Sequence, residues 1–352
     1  MDEMNSIPNE YRGLDVEEMR RRILEHKGRL GGKLLILGHY YQRDEVIQFS
    51  DFQGDSFALA KRGAESEAEH IVFCGVRFMA EASAILAKPG QRVYLPALDA
   101  GCPLADMAEV HQARAAWDAL EKVGVAGEYL PVVYMNSSAA IKAFCGERGG
   151  TVCTSSSAGR AFDWAKAQGR RVLFMPDRNL GINTALASGM RPEQIAEWDP
   201  YAPNPGVAKE AKAVVWKGHC HVHTFFTEAQ VERARRENPG CMVAVHPESD
   251  PEVVAASDAN GSTSFLKKYA EDAPKGSTVV IGTEINFVAR LAKENPDKRI
   301  VPLARSLCPN MFKTSMADLL WVLDGLGEVN EIAVPAGVSE GAKTALDRML
   351  AL

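Results

Sequence analysis

The 352-residue sequence holds no apolar run approaching the roughly 20 residues that a membrane-spanning helix needs, which excludes a helical integral membrane protein. A basic segment followed by an apolar one is also missing from its start. Met1-Asp2-Glu3-Met4-Asn5 is acidic and polar, so no secretory leader is expected and a cytoplasmic location is. Positive charge is not in excess: 40 Lys and Arg stand against 46 Asp and Glu, for a net charge of −6. No global field would therefore draw the chain onto nucleic acid or an anionic membrane, and any anionic ligand must be held locally. There is no Cys-x-x-Cys, no Gly-x-Gly-x-x-Gly and no Gly-x-x-x-x-Gly-Lys, which counts against compact zinc modules and against NAD- or ATP-dependent chemistry. What is present is 46% hydrophobic and 24% charged residues, the balance of a chain with a sizeable core and no extended disorder.

Short β-rich runs alternate with helical stretches from residue 34 onward, which predicts parallel α/β units. Strands are expected at 34–37, 71–74, 93–95, 132–134, 152–153, 172–175, 214–216, 243–245, 253–256, 279–281, 300–302 and 332–334. Helices are expected at 57–64, 80–86, 108–123, 138–144, 160–167, 228–236, 263–269, 287–293 and 317–326. Chemically capable residues cluster just past the strands, where open α/β sheets place their ligand crevice. Cys102, Cys220 and Cys308 each stand in such a position, 118 and 88 residues apart, a spacing that fits three small α/β units with one thiol each. The expected division is 1–105 completed by a C-terminal strand and helix at 327–352, then 106–218, then 219–326. Cys74, Cys145, Cys153 and Cys241 sit in or beside apolar runs and read as buried structural thiols.

Lys217-Gly218-His219-Cys220-His221-Val222-His223 packs three histidines and a cysteine into five residues, more than core filling requires. An extended chain would put His221 and His223 on one face, the arrangement of His-x-His metal hydrolases; a polar exposed turn is the plainer reading. His246-Pro247-Glu248 offers a base and an acid two residues apart, suited to proton transfer beside a carbonyl. Thr154-Ser155-Ser156-Ser157, Gly261-Ser262-Thr263 and Asp55-Ser56 each precede an expected helix and could cradle phosphate or carboxylate, although N-capping alone accounts for an isolated Ser or Thr.

Taken in order, His39-Tyr40-Tyr41, Asp51-Phe52-Gln53-Gly54-Asp55-Ser56, Gly75-Val76-Arg77-Phe78-Met79-Ala80-Glu81, Tyr134-Met135-Asn136, Cys153-Thr154-Ser155, Trp216-x-Gly218-x-Cys220-x-Val222-His223, His246-Pro247-Glu248, Gly261-Ser262-Thr263 and Cys308-Pro309-Asn310-Met311 closely resemble the quinolinate synthase family across about residues 30–340. The resemblance implies three pseudo-threefold-related, three-layer α/β/α sandwich domains, each with a small, mainly parallel sheet. It implies condensation of iminoaspartate with dihydroxyacetone phosphate to quinolinate, with release of phosphate and water, in de novo NAD biosynthesis. A 4Fe-4S cluster would be held by Cys102, Cys220 and Cys308. Carried over by position, Glu248, His246, Tyr41, Tyr134 and His223 are the expected catalytic set. His39, Ser56, Asn136, Ser155, Ser262 and Thr263 are the expected substrate-binding set. The partners implied are the two small substrates and a transient contact with the enzyme that makes iminoaspartate, with no nucleic acid and no membrane. Some relatives carry a Cys-x-x-Cys-x-x-Cys run at the third ligand, whereas Cys308 stands alone here.

From the residues themselves, a zinc hydrolase built on His221-Val222-His223 and a non-enzymatic iron-sulfur sensor remain open as alternatives. The first would carry zinc. The second would have no use for Glu248 and the tyrosines.

Overall fold

The computed structural model describes residues 7–352. Among them, thirteen strands form three wholly parallel sheets of four, five and four strands, with helices in the connections, so the α/β class holds. The described chain falls into two compact units. One comprises the residues up to Cys102 together with Cys308–Pro335, and the other comprises Pro103–Leu307 and Ala336–Leu352.

In the first unit β1 (Leu34–His39), β2 (Phe52–Gly54), β3 (His70–Cys74) and β4 (Arg92–Tyr94) lie in the order β2-β1-β3-β4. All six residues of β1 are buried, because parallel strands are covered on both faces and read as continuous apolar runs. Ile36, Val72 and Cys74 pack with Ile23 of the helix Val16–Leu30 and with Leu319, Leu320 and Leu323 of the helix Met316–Asp324. The strand expected at 332–334 is absent. Glu331 makes a single antiparallel bridge to Tyr94 and the Ile332 amide donates to Val93 at 2.8 Å, after which Pro335 offers no donor with which to continue.

In the second unit β5 (Tyr129–Tyr134), β6 (Thr151–Cys153), β7 (Arg171–Met175), β8 (Ile195–Trp198) and β9 (Ala213–Trp216) form a sheet in the order β6-β5-β7-β9-β8. The other sheet has the order β11-β10-β12-β13, from β10 (Met242–Val245), β11 (Ala259–Asn260), β12 (Thr278–Gly282) and β13 (Arg299–Pro302). Residues 253–256, expected as a strand, belong to the helix Pro251–Ala256. An apolar Val-Val-Ala-Ala run fits either state, and Pro251 in the first turn, after Asp250, pre-sets the helical φ. The last helix, Ala336–Ala351, lies against the helix Ala139–Glu147 and β6 and does not complete the first sheet as expected. The contact is backbone against backbone. A Cβ on Gly146 would stand 1.9 Å from the Gly341 carbonyl oxygen.

Candidate active site

In the first unit His39 closes β1 and is 4% exposed, and its Nδ1 accepts the Tyr41 backbone N–H at 3.2 Å. The two rings meet edge to face, 4.9 Å apart at 80°. Ser56 opens the helix Ser56–Glu65, but the cap is Asp55, which accepts the Ala58 N–H at 2.9 Å. Cys102 and Cys308 lie half-buried in loops of this unit.

The second unit holds the denser cluster. After β9 the chain turns so that the His223 amide donates to the Cys220 carbonyl at 3.0 Å, which brings thiol and imidazole to one spot. His223 is 1% exposed, with Nδ1 2.6 Å from Glu248 Oε2 and Nε2 3.0 Å from Thr283 Oγ1. An Nδ1–H donated to the carboxylate leaves Nε2 and the Thr283 hydroxyl to share the second hydrogen bond. The His246 ring stacks on that of His223 at 4.3 Å and 19°, and its Nδ1 lies 3.9 Å from the same carboxylate oxygen. The Tyr134 side chain completes the shell with a hydrogen bond to Glu248.

Glu248 is buried, and burial alone would push its pKa up. The charges of His246 and His223, with the hydrogen bonds from His223 and Tyr134, together outweigh that and bring it down to about 2, so the group is a carboxylate at neutral pH. Asp177, just past β7, is its opposite. Burial first, and then the nearby charge of Glu248, hold its carboxyl well above the usual range. It caps the next helix by accepting the Leu180 N–H at 2.7 Å.

That next helix, Arg178–Ala187, fixes the Glu248 loop. Asn179 Nδ2 donates to the Glu248 carbonyl (3.2 Å) and to Asp250 Oδ1 (2.8 Å). One turn on, Asn183 Nδ2 donates to the carbonyls of Pro247 (2.8 Å) and Ser249 (2.9 Å). Half-buried Asn136 sits in the loop after β5. There the fully buried Lys142 donates to the Met135 carbonyl (2.8 Å), the Ser137 carbonyl (2.5 Å) and Ser137 Oγ (3.3 Å). Ser155 and Gly261 line a cleft of about 470 Å³ together with Asn183 and Pro247. Ser262 caps the helix Thr263–Asp272 by accepting the Phe265 N–H at 3.3 Å; Thr263 is buried beside it.

The geometry changes one expectation, the shared face of His221 and His223, and agrees with another, the buried thiols. The chain is turned, not extended, through 221–225, so His221 is exposed and His223 buried, and the two share no face. Burial pushes Cys74 and Cys145 up to about 12, and raises Cys153 and Cys241 as well, so these four are thiols. Thr283, Asp177, Asn179, Asn183 and Lys142 escape the motif analysis. Two of them, Thr283 after β12 and Asp177 after β7, occupy strand exits that the same rule flags elsewhere.

A parallel α/β protein whose strand exits carry a buried carboxylate between two imidazoles and a phenol is built as an acid–base enzyme. The chain belongs to the family described as Quinolinate synthetase A protein, whose sequence profile matches residues 21–351. It is 47% identical over 352 residues to the quinolinate synthase of Acidobacterium capsulatum, covering 97% of this chain and 94% of that one. With the quinolinate synthase of Streptomyces coelicolor the identity is 49% over 339 residues, covering 93% and 86%. That of Anoxybacillus flavithermus is 46% identical over 360 residues, covering 100% and 98%. Among the described residues no helix is long and apolar enough to cross a membrane.

Proposed function

We propose that the chain condenses iminoaspartate with dihydroxyacetone phosphate to quinolinate, releasing phosphate and water, as a step of NAD biosynthesis in the cytoplasm. The observation that carries this is Glu248: a buried carboxylate kept ionised by two imidazoles and a phenol, at a strand exit beside the Ser155–Gly261 cleft. Ring formation from these substrates needs a proton taken from carbon next to a carbonyl and returned to a leaving oxygen. Glu248 accepts that proton, and His223, 2.6 Å away, shares it. Tyr134 and Tyr41 orient hydroxyls for the dehydrations, and His246 holds the carboxylate. His223, Asn136 and His39 receive the substrate carboxylates, while Ser56, Ser155, Ser262 and Thr263 receive phosphate and carboxylate oxygens.

Cys102, Cys220 and Cys308 are the ligands we assign to a 4Fe-4S cluster. The donor set fits. These three are half-buried, loop-borne and in no disulfide, whereas the other four cysteines are buried thiols with raised pKa. With three protein thiolates, the cluster supplies Lewis acidity at the iron that has no protein ligand.

The test is quinolinate formation from the two substrates by anaerobically purified protein. Glu248→Gln should keep the cluster's absorption and abolish product, and full activity in that variant removes Glu248 from the mechanism. Cys220→Ala should lose iron and sulfide; normal content of both contradicts its role as a ligand.

A further inference from the structure

Cys220 Sγ, a ring nitrogen of His223 and a carboxylate oxygen of Glu248 all lie within 4.8 Å of one another. We propose that, when no cluster is bound, these three side chains form a mononuclear site for a divalent metal of the zinc type. The inference goes beyond the proposed reaction and rests on that reading only for the cluster that shares Cys220. A point within about 2.8 Å of all three atoms exists, against bonds of roughly 2.0–2.3 Å to zinc, so small side-chain rotations close the gap. Thiolate, imidazole and carboxylate form a donor set that selects zinc, cobalt and ferrous ions, and three protein ligands leave a fourth position to water.

The surroundings already orient all three donors, as the outer shell of a metal site does. Thr283 Oγ1 holds His223 Nε2 at 3.0 Å, which directs Nδ1 toward Glu248. Tyr134 holds Glu248 from its other side. The turn bond from the His223 amide to the Cys220 carbonyl, 3.0 Å, fixes a Cys-x-x-His pair on one loop. To admit the metal, the 2.6 Å contact between Nδ1 and Oε2 must open to roughly 3.5 Å, the edge of a zinc tetrahedron, as the metal replaces the proton between them. Because Cys220 would be a ligand of both centres, a zinc-type ion in this site competes with the cluster for its thiolate. Protein that has lost its cluster would then resist reloading until a chelator removes the captured ion.

The full-length chain, freed of cluster and reduced with a phosphine, is titrated anaerobically with Co²⁺. One ion per chain should bind, with near-ultraviolet thiolate-to-cobalt absorption and the visible bands of a four-coordinate ion, and Zn²⁺ should displace it. Cys220→Ser should erase the charge-transfer band. His223→Ala and Glu248→Gln should each weaken binding by at least about tenfold. Cys102→Ser and Cys308→Ser should leave spectrum and affinity unchanged. Circular dichroism confirms that each variant is folded. Zn²⁺ preloading should also slow cluster reconstitution in the wild type and not in His223→Ala. Absence of stoichiometric Co²⁺ binding by the folded chain overturns the proposal. So does a band that survives Cys220→Ser, is lost in Cys102→Ser or Cys308→Ser, or is indifferent to His223→Ala. A reconstituted enzyme that makes no quinolinate while the cobalt pattern holds refutes the proposed reaction and leaves this site standing.

Discussion

Asn183→Leu tests whether the helix Arg178–Ala187 holds the Glu248 loop in its working position. The substitution keeps the side-chain shape and removes both donors, leaving the buried carbonyls of Pro247 and Ser249 facing a methyl group. A buried carbonyl deprived of its partner costs about 1–3 kcal/mol, so the pair predicts a loss of about 2–6 kcal/mol. Asn183→Ala removes the same donors but also empties space. Asn183 lines a polar cleft of about 470 Å³, so water can enter and satisfy both carbonyls. The order of the two variants is therefore the reverse of that at an apolar core position: Ala costs less than Leu. Chemical denaturation of both variants measures the order. Because Glu248 lies between the two carbonyls, Leu should lower kcat more than it raises KM, and Ala should recover part of kcat. An alanine variant less stable than the leucine variant, or a leucine variant with normal kcat, refutes the reasoning.

Further outcomes follow from other contacts. Lys142→Met leaves the Ser137 carbonyl unpaired and takes from the Met135 carbonyl one of its two donors, the other being the Ser137 N–H at 2.8 Å, beneath the loop that carries Tyr134 and Asn136, so it should destabilise by about 1–3 kcal/mol and lower activity; a thermal melt with steady-state kinetics checks both. Gly146→Ala places a methyl on the Gly341 carbonyl and should cost about 1–3 kcal/mol or more by prising the final helix away, read by earlier proteolytic release of the C-terminus. Burial lowers the pKa of His70, whose Nδ1 lies 3.1 Å from the Tyr94 hydroxyl, below its ordinary 6.5. The unfolded chain then binds the proton more readily than the folded one, so stability falls as pH drops below about 6.5. Denaturation midpoints between pH 7 and pH 5 should fall less steeply in His70→Gln than in the wild type.

What could be read from the sequence follows what burial does to composition. β1, β5, β7, β9, β10 and β12 are covered on both faces and announce themselves as nearly continuous apolar runs. β2 and β8 are edge strands. Phe52-Gln53-Gly54 is three residues long and ends in glycine, and Ile195-Ala196-Glu197-Trp198 is only partly buried, so neither carries that signature. The helix Arg178–Ala187 was illegible for a more interesting reason. Its buried residues are Asn179, Leu180, Gly181, Asn183, Thr184 and Ala185, and only Leu180 and Ala185 among them are apolar side chains. The asparagines satisfy the neighbouring loop, and Gly181 lets the helix sit against Phe174 and Val215, where a Cβ would stand 2.7–2.8 Å from their side chains. No long apolar stripe at helical spacing remains to be seen, because on one side the packing partner is loop backbone and on the other the helix meets Phe174 and Val215 with a glycine.

The site divides along the same line. His223, His246, Glu248 and Tyr134, the proposed set, stand out in the sequence because proton-transfer chemistry restricts residue types, and strand exits restrict where such residues stand. Thr283, Asn179 and Asn183 are common residues whose value comes only from what they touch. Yet the conspicuous set could not act without them. A carboxylate 2% exposed would be neutral on burial alone, and it is ionised here because imidazoles from the exits of β9 and β10 meet beside it with a phenol from β5. Thr283 on His223 and the two asparagines beneath the loop hold that meeting to a tolerance in which 2.6 Å and 3.9 Å differ in kind, one a hydrogen bond and the other only an electrostatic contact. The active carboxylate is thus a property of three strand exits held in register, and replacing any one of their inconspicuous supports should move its pKa as surely as replacing a histidine.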